Sequence, residues 1–112
     1  MKDFMLVFLG GKSYQELEQG QQEMRMGKWM AWQQKMEQQG IVKGGNALTH
    51  QVKHVSGPER TVTDRAATEI KELIGGYYIV TAKNFDEAIE IAQDSPDYDI
   101  GGTVEVREVM VY

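Results

Sequence analysis

The chain has no cysteine, and that absence removes several kinds of chemistry at once. A disulfide framework, a thiolate nucleophile and cysteine-ligated zinc or iron–sulfur centres are excluded, so site chemistry must rest on oxygen and nitrogen. Surplus positive charge is missing too, with 12 Lys and Arg against 17 Asp and Glu and a net charge of −5. The basic residues are scattered rather than gathered on a stripe that would neutralise successive phosphates, which argues against nucleic acid as a partner. Nor is there a long hydrophobic run. The apolar segment Phe4 to Leu9 stops at Gly10-Gly11, far short of the roughly 20 residues that span a bilayer, and it lacks the cleavage signature of a secretory leader. A soluble, cytoplasmic protein with no membrane partner is expected.

What is present is ordinary in amount. At 112 residues, 41% hydrophobic and 26% charged, the chain has the size and composition of one globular domain over residues 1–112, with a normal core. Phe4-Met5-Leu6-Val7-Phe8-Leu9, bounded by glycines, reads as a first, central strand. Ser13 with Glu16 forms a capping-box pattern for a short helical turn, with a break near Gly20. A main helix follows over about Gln21 to Gln39, ended by Gly40. On it Met26, Trp29, Met30, Trp32 and Met36 fall within roughly 160° of arc, a broad apolar stripe expected to face one sheet. Most of the seven methionines sit on this helix, and methionine's adaptable packing suggests a forgiving core or contact surface.

Ile41 to Gly45 is expected to turn out of the helix. Asn46 to Val55 has the loose alternation of an exposed strand, Ser56 to Glu59 reads as a turn, and Arg60 to Asp64 as a strand returning from it, together a β-hairpin arm. Arg65 to Leu73 is an irregular or helical segment. Gly76 to Ala82 follows as a strand, and then a helix capped by Asn84 with Glu87, carrying Phe85, Ala88, Ile89 and Ala92 on one face and closed by Pro96. The last strand is expected from Thr103 to about Val111, with a bulge at Arg107-Glu108. The order implies an α+β, ferredoxin-like βαββαβ fold with an inserted β-hairpin. Helices on one face of its sheet leave the other face to be covered, and a homodimer packed sheet to sheet is the expectation.

The ordered pattern Trp29-x-x-Trp32, Gly40, Gly44-Gly45-x-x-Leu48, Thr63-Asp64, Glu69-x-Lys71-Glu72-x-x-Gly75-Gly76-Tyr77-Tyr78, Phe85-Asp86-Glu87-Ala88 and Gly101-Gly102-x-Val104-Glu105-Val106-Arg107 resembles the YCII-related, DGPF-containing bacterial proteins. The resemblance covers nearly all of the chain after the first strand. It implies a dimeric α/β barrel of ferredoxin-like subunits, in a family mostly without a demonstrated activity. It also makes conceivable an accessory or regulatory role linked to sigma-factor signalling. The departure falls on the motif itself, because Asp64-Arg65-Ala66-Ala67 stands where relatives carry Asp-Gly-Pro-Phe. The aspartate remains, while the residues that shape the loop are replaced.

Asp64, with His50 and His54 on the partnering strand, is the one cluster suited to acid–base work, since a histidine beside a carboxylate titrates near neutrality. The plainer reading is a solvated hairpin whose charges pair loosely. His50 and His54 would stand about 13 Å apart on a strand, too far to share one ion, and no metal or cofactor is expected. Tyr77 and Tyr78 should point to opposite sides of their strand, one of them toward a pocket walled by Trp29 and Trp32. Arg65, which would hold a carboxylate, and Glu72 complete the candidate pocket. The pairs Gly75-Gly76 and Gly101-Gly102 lack the pattern of a phosphate-cradling loop and read as strand-entry hinges. A cofactor-free lyase, isomerase or monooxygenase-like activity on a small organic molecule is the enzymatic form of this expectation.

Overall fold

The computed structural model describes residues 1–11, 16–49, 51–65 and 74–112, with only the backbone of Arg65. Ser13, His50, Glu69, Glu72 and the Ala66-Ala67 pair lie outside the described residues, and with them the expected first helical turn and most of the segment from Arg65 to Leu73.

Among the described residues, six strands and two helices follow one another as β1 (Lys2–Gly10), α1 (Gln19–Gln38), β2 (Val42–Ala47), β3 (Val52–Ser56), β4 (Thr61–Arg65), β5 (Ile74–Ala82), α2 (Phe85–Gln93) and β6 (Gly102–Glu108), with a short 3-10 turn at Tyr98–Ile100 before the last strand. Four strands form one sheet in the order β2-β5-β1-β6, all pairs antiparallel. Without the hairpin β3-β4 this is the βαββαβ order of a ferredoxin-like fold. The apolar run that opens the chain occupies β1, between β5 and β6.

Period-two alternation divides β1 between the two faces. Phe4, Leu6 and Phe8 point toward the helices and pack with Val80, Ala82, Trp32, Met36, Ala88 and Ala92. Phe4, Leu6 and Val80 are fully buried, each worth about 1.5–3 kcal/mol of apolar transfer. Met5, Val7 and Leu9 point the other way, opposite Ile79 and Tyr77 on β5 and Arg107, Glu105 and Thr103 on β6. Among the described residues neither helix lies over this second face.

Several local expectations change. Helix α1 begins at Gln19, so Gly20 sits in its first turn rather than at a break. A glycine is tolerated there because the first amides have no intrahelical acceptor in any case. The buried stripe of α1 is narrower and rotated from the one expected: Arg25, Trp32 and Met36 are buried and Trp29 half-buried, while Met26 and Met30 are 57% and 61% exposed. On α2, Ala88 and Ala92 take the buried face, and Phe85 and Ile89 lie at its exposed margin, Phe85 edge-on to Phe4 at 5.0 Å. The Asn84 cap forms as expected, its side chain accepting from the Glu87 amide at 3.0 Å. The stretch Asn46 to Val55 is not one strand. Its first two residues end β2, which pairs with β5, and the arm begins only at Val52. Strand β6 pairs with β1 without a bulge; the register shifts fall at Phe8/Leu9 and Val42/Gly44.

The strands of the arm pack chiefly on each other. An arm standing off the core fits the Cα radius of gyration, 15.7 Å, against about 13 Å for a compact chain near this length. Among the described residues no helix is long and apolar enough to cross a membrane.

Candidate functional site

Helix α1 builds its inner face from Arg25, Trp29, Trp32 and Met36, spaced i, i+4, i+7, i+11. That spacing is a helical core stripe, and an arginine occupies its first position. Arg25 is 3% exposed, and burial of a guanidinium is tolerated only when its charge is matched. The match comes from the loop after α2. Arg25 donates to both carboxylate oxygens of Asp99, at 2.9 and 2.7 Å, and to Asp97 at 3.1 Å. Trp29 Nε1 donates to the other oxygen of Asp97 at 2.9 Å. The hydrogen bonds from Arg25 hold the Asp99 carboxyl down to about 2, and the same bonds push the guanidinium up. Arg25 Nε is buried with no hydrogen-bond partner among the described residues.

The loop is pinned at several points. Asp97 has a left-handed backbone at φ 84°, a conformation that costs a non-glycine residue energy. Its carbonyl accepts from the amides of Ile100 and Gly102 at 3.2 and 3.0 Å. Gly102 belongs at the entry to β6 because a Cβ there would lie 2.8 Å from that carbonyl oxygen. Ser95 Oγ and the Tyr98 hydroxyl both donate to the Ala92 carbonyl, at 2.7 and 2.6 Å, tying the loop to the end of α2. Lys35 reaches from α1 to Asp94 at 2.7 Å. The loop thus adds polar links between two helices whose buried faces share one core.

Behind Arg25, four rings meet edge to face. Trp29 lies 5.0 Å from Phe8 and 5.4 Å from Trp32, and Tyr78 lies 5.3 Å from Trp32 and 6.0 Å from Phe8. Perpendicular rings at these distances satisfy the aromatic quadrupoles. Tyr78 donates to Gln33 on α1 at 2.7 Å, and burial, with Glu37 nearby, raises its hydroxyl above the usual tyrosine range. The close fit depends on Gly45, where a Cβ would stand 2.5 Å from the Tyr78 ring.

Between the helices runs a trench floored by Trp32. One basin of about 360 Å³ is bounded by Lys28, Ala31, Lys35, Asp94 and Pro96; a second of about 510 Å³ extends over Met36, Ile41 and Ile91 toward Glu87 and Glu90. The Lys35–Asp94 pair borders both basins. Both basins lie open to solvent along the surface.

The residues proposed from sequence therefore divide among three places. Trp29, Trp32 and Tyr78 come together in the aromatic cluster. Tyr77 lies on the second sheet face, where its hydroxyl accepts from Asn46 at 3.2 Å. Asp64 and His54 lie on the arm. There Lys53 pairs with Asp64 and His54 stands opposite Thr63, so strand alternation puts His54 and Asp64 on opposite faces of the hairpin. The Asp64 carboxylate is exposed and salt-bridged to Lys53. His50 and Glu72 are outside the described residues, and Arg65 is placed by its backbone alone, at the end of β4. Among the described residues no three His, Asp or Glu side chains converge as metal ligands. Sequence reasoning missed Arg25, Asp97, Asp99 and the Lys35–Asp94 bridge. The signal was available in an arginine falling on the stripe of Trp29, Trp32 and Met36, a position that calls for a distant carboxylate.

No curated protein matches the chain. Among solved structures it is similar to the 5-chloro-2-hydroxyhydroquinone dehydrochlorinase TftG from Burkholderia phenoliruptrix AC1100, in complex with 2,5-dihydroxybenzoquinone. The identity is 14% and the TM-score 0.49, over 97% of this chain and 95% of that one. The sequence profile of the YCII-related domain matches residues 5–112, and the chain belongs to the YCII-related family.

Proposed function

We propose that the protein is a homodimer that binds a small organic molecule in the trench between α1 and α2, acting in the cytoplasm as one YCII-related domain over residues 1–112. The observation that carries the reading is the basin of about 510 Å³ floored by Trp32. It joins an aromatic floor to a charged rim, the combination by which pockets hold and orient small ligands. The loop that closes the trench is fixed to both helices by the bonds of Arg25, Trp29, Lys35, Ser95 and Tyr98, so the site is built on a stiff frame.

Dimerisation is supported by the second sheet face, where Met5, Leu9, Tyr77 and Ile79 lie half-buried around the buried Val7 and neither helix covers them among the described residues. A sheet face of this kind needs a partner layer. Light scattering of the protein in solution should give twice the chain mass, and Ile79→Asp should return it to one; a monomeric parent would remove the dimer from the proposal.

A catalytic extension, in which Asp64 exchanges a proton with His50 or His54, has less support. Lys53 engages the carboxylate and the hairpin register separates it from His54. The exposed Val55–Val62 pair on the arm favours a second reading, an accessory or regulatory protein whose arm docks a partner protein in sigma-factor signalling. The chain has two tryptophans, so two indole N–H resonances report binding directly. Compounds from a fragment collection should move the Trp32 signal in a saturable way. If none does, while Val55→Asp in the arm abolishes capture of a sigma factor, the second reading stands in place of the first.

A further inference from the structure

Resting on the homodimer read above, we infer that the two copies meet about a two-fold axis that crosses the strands beneath Leu6, Tyr78 and Val106, so that Glu105 of each copy faces the partner's Arg107. Cross-strand register divides the second sheet face into rows. Ile79, Met5 and Arg107 form one row, and Tyr77, Val7 and Glu105 the next. The row between them, Tyr78, Leu6 and Val106, points to the helices. Each row of the second face is therefore apolar on β5 and β1 and ends in a charge on the edge strand β6, a base in one row and an acid in the other. Glu105 and Arg107 are exposed, and neither joins an ion pair among the described residues. Two positions along one strand put them about 7 Å apart. An apolar centre bordered by charge is the layout of a protein–protein interface.

A surface that meets its own copy must be complementary to itself, and that requirement selects the axis. An axis centred on the Glu105 row sets glutamate on glutamate, and one centred on the Arg107 row sets arginine on arginine; like charges face to face oppose association. The axis midway exchanges the two rows. It lays Arg107 over the partner's Glu105, Met5 over the partner's Val7 and Ile79 over the partner's Tyr77, so one operation matches the charges and keeps apolar side chains on apolar ones. Sheets packed face to face stand about 10 Å apart, a gap that a glutamate and an arginine reaching from opposite sides can close at the sheet's edge. Asp3, the acid at the start of β1, is already paired with Lys43 at 3.0 Å and needs no charge from a second copy.

Sedimentation equilibrium of the whole protein tests this register through the dissociation constant of the dimer. Glu105→Arg and Arg107→Glu each set like charges at both symmetry-related contacts and should raise the constant at least about tenfold. The doubly reversed protein should return to within about threefold of the parent. Both side chains are exposed, so the reversals leave the core untouched. Repulsion within one strand is shared by monomer and dimer, and a one-to-one mixture of the two singly reversed proteins separates it from repulsion between copies. The mixture should form a heterodimer tighter than either homodimer, because each contact between copies then joins opposite charges. A parent dimer that Ile79→Asp dissociates, but whose constant the reversals leave within about twofold, would overturn the register and leave the homodimer standing. A mixture no tighter than its components would overturn the register as well. A parent that sediments as a monomer would overturn both.

Discussion

The Lys53–Asp64 pair and the Arg25 cluster both join a basic side chain to aspartate, and they differ in nearly everything else. Lys53–Asp64 links neighbouring strands of one hairpin, with side chains 55% and 79% exposed. Arg25 is buried, joins α1 to a loop more than seventy residues away, and engages two aspartates. Water screens the first pair, so forming it changes little. In the second the guanidinium is shielded while Asp99 stays 65% exposed, so losing the geometry would leave the Arg25 charge buried alone. Charges close together in sequence therefore marked the solvated arm, and a single arginine in an apolar stripe marked the frame of the candidate site.

Substitutions should separate the two regions in order of effect. Arg25→Ala would remove the guanidinium that Asp97 and Asp99 share and loosen the acceptor of Trp29, and should lower the Tm by more than about 10 °C. Arg25→Lys should not restore stability, because an ammonium cannot reproduce the two-point contact with Asp99. Gly45→Ala drives a methyl to within 2.5 Å of the Tyr78 ring and of the Tyr77 carbonyl, and should cost about 1–3 kcal/mol in denaturant unfolding.

Acid should act on the frame. The Asp99 carboxyl is held at about 2 in the folded protein against an ordinary 3.8. A carboxylate depressed by folding contributes in full above its unfolded value and loses that contribution as pH falls through its folded one. Stability should therefore decline between pH 3.8 and about 2, and Asp99→Asn should flatten the decline in urea midpoints taken across that window. Lys53→Ala on the arm should be the mildest change, below about 1 kcal/mol at neutral pH. A loss as large as that of Arg25→Ala would mean that the arm packs against something and is not a solvated hairpin.

The scaffold was legible in the sequence because its signals are local. The apolar run Phe4 to Leu9, ended by Gly10-Gly11, became β1, Asn84 capped α2, and the alternation of Tyr77 and Tyr78 placed one ring on each sheet face. The strand β2 was hidden because Gly44 and Gly45 read as a turn; the missing side chain of Gly45 instead makes room for Tyr78 in the neighbouring strand. The Arg25 clasp was hidden for a different reason. Its acceptors, Asp97 and Asp99, lie in the polar stretch after α2, which resembles any solvated loop until the fold brings it to α1. Hydrophobic periodicity reports which face of an element is buried and not which distant group meets a charge there. The rotated stripe of α1 follows from the same fact, since counting only apolar side chains includes Met26 and Met30 and leaves out Arg25.

The most direct test of the account takes a fragment that moves the Trp32 signal and compares its affinity in two variants, Trp32→Phe in the trench and Asp64→Asn on the arm, by calorimetric titration at low salt. A ligand site in the trench predicts that Trp32→Phe weakens binding by at least about tenfold while Asp64→Asn leaves it within about twofold of the parent. Loss of binding in Asp64→Asn with full retention in Trp32→Phe would contradict the account and move the site to the arm.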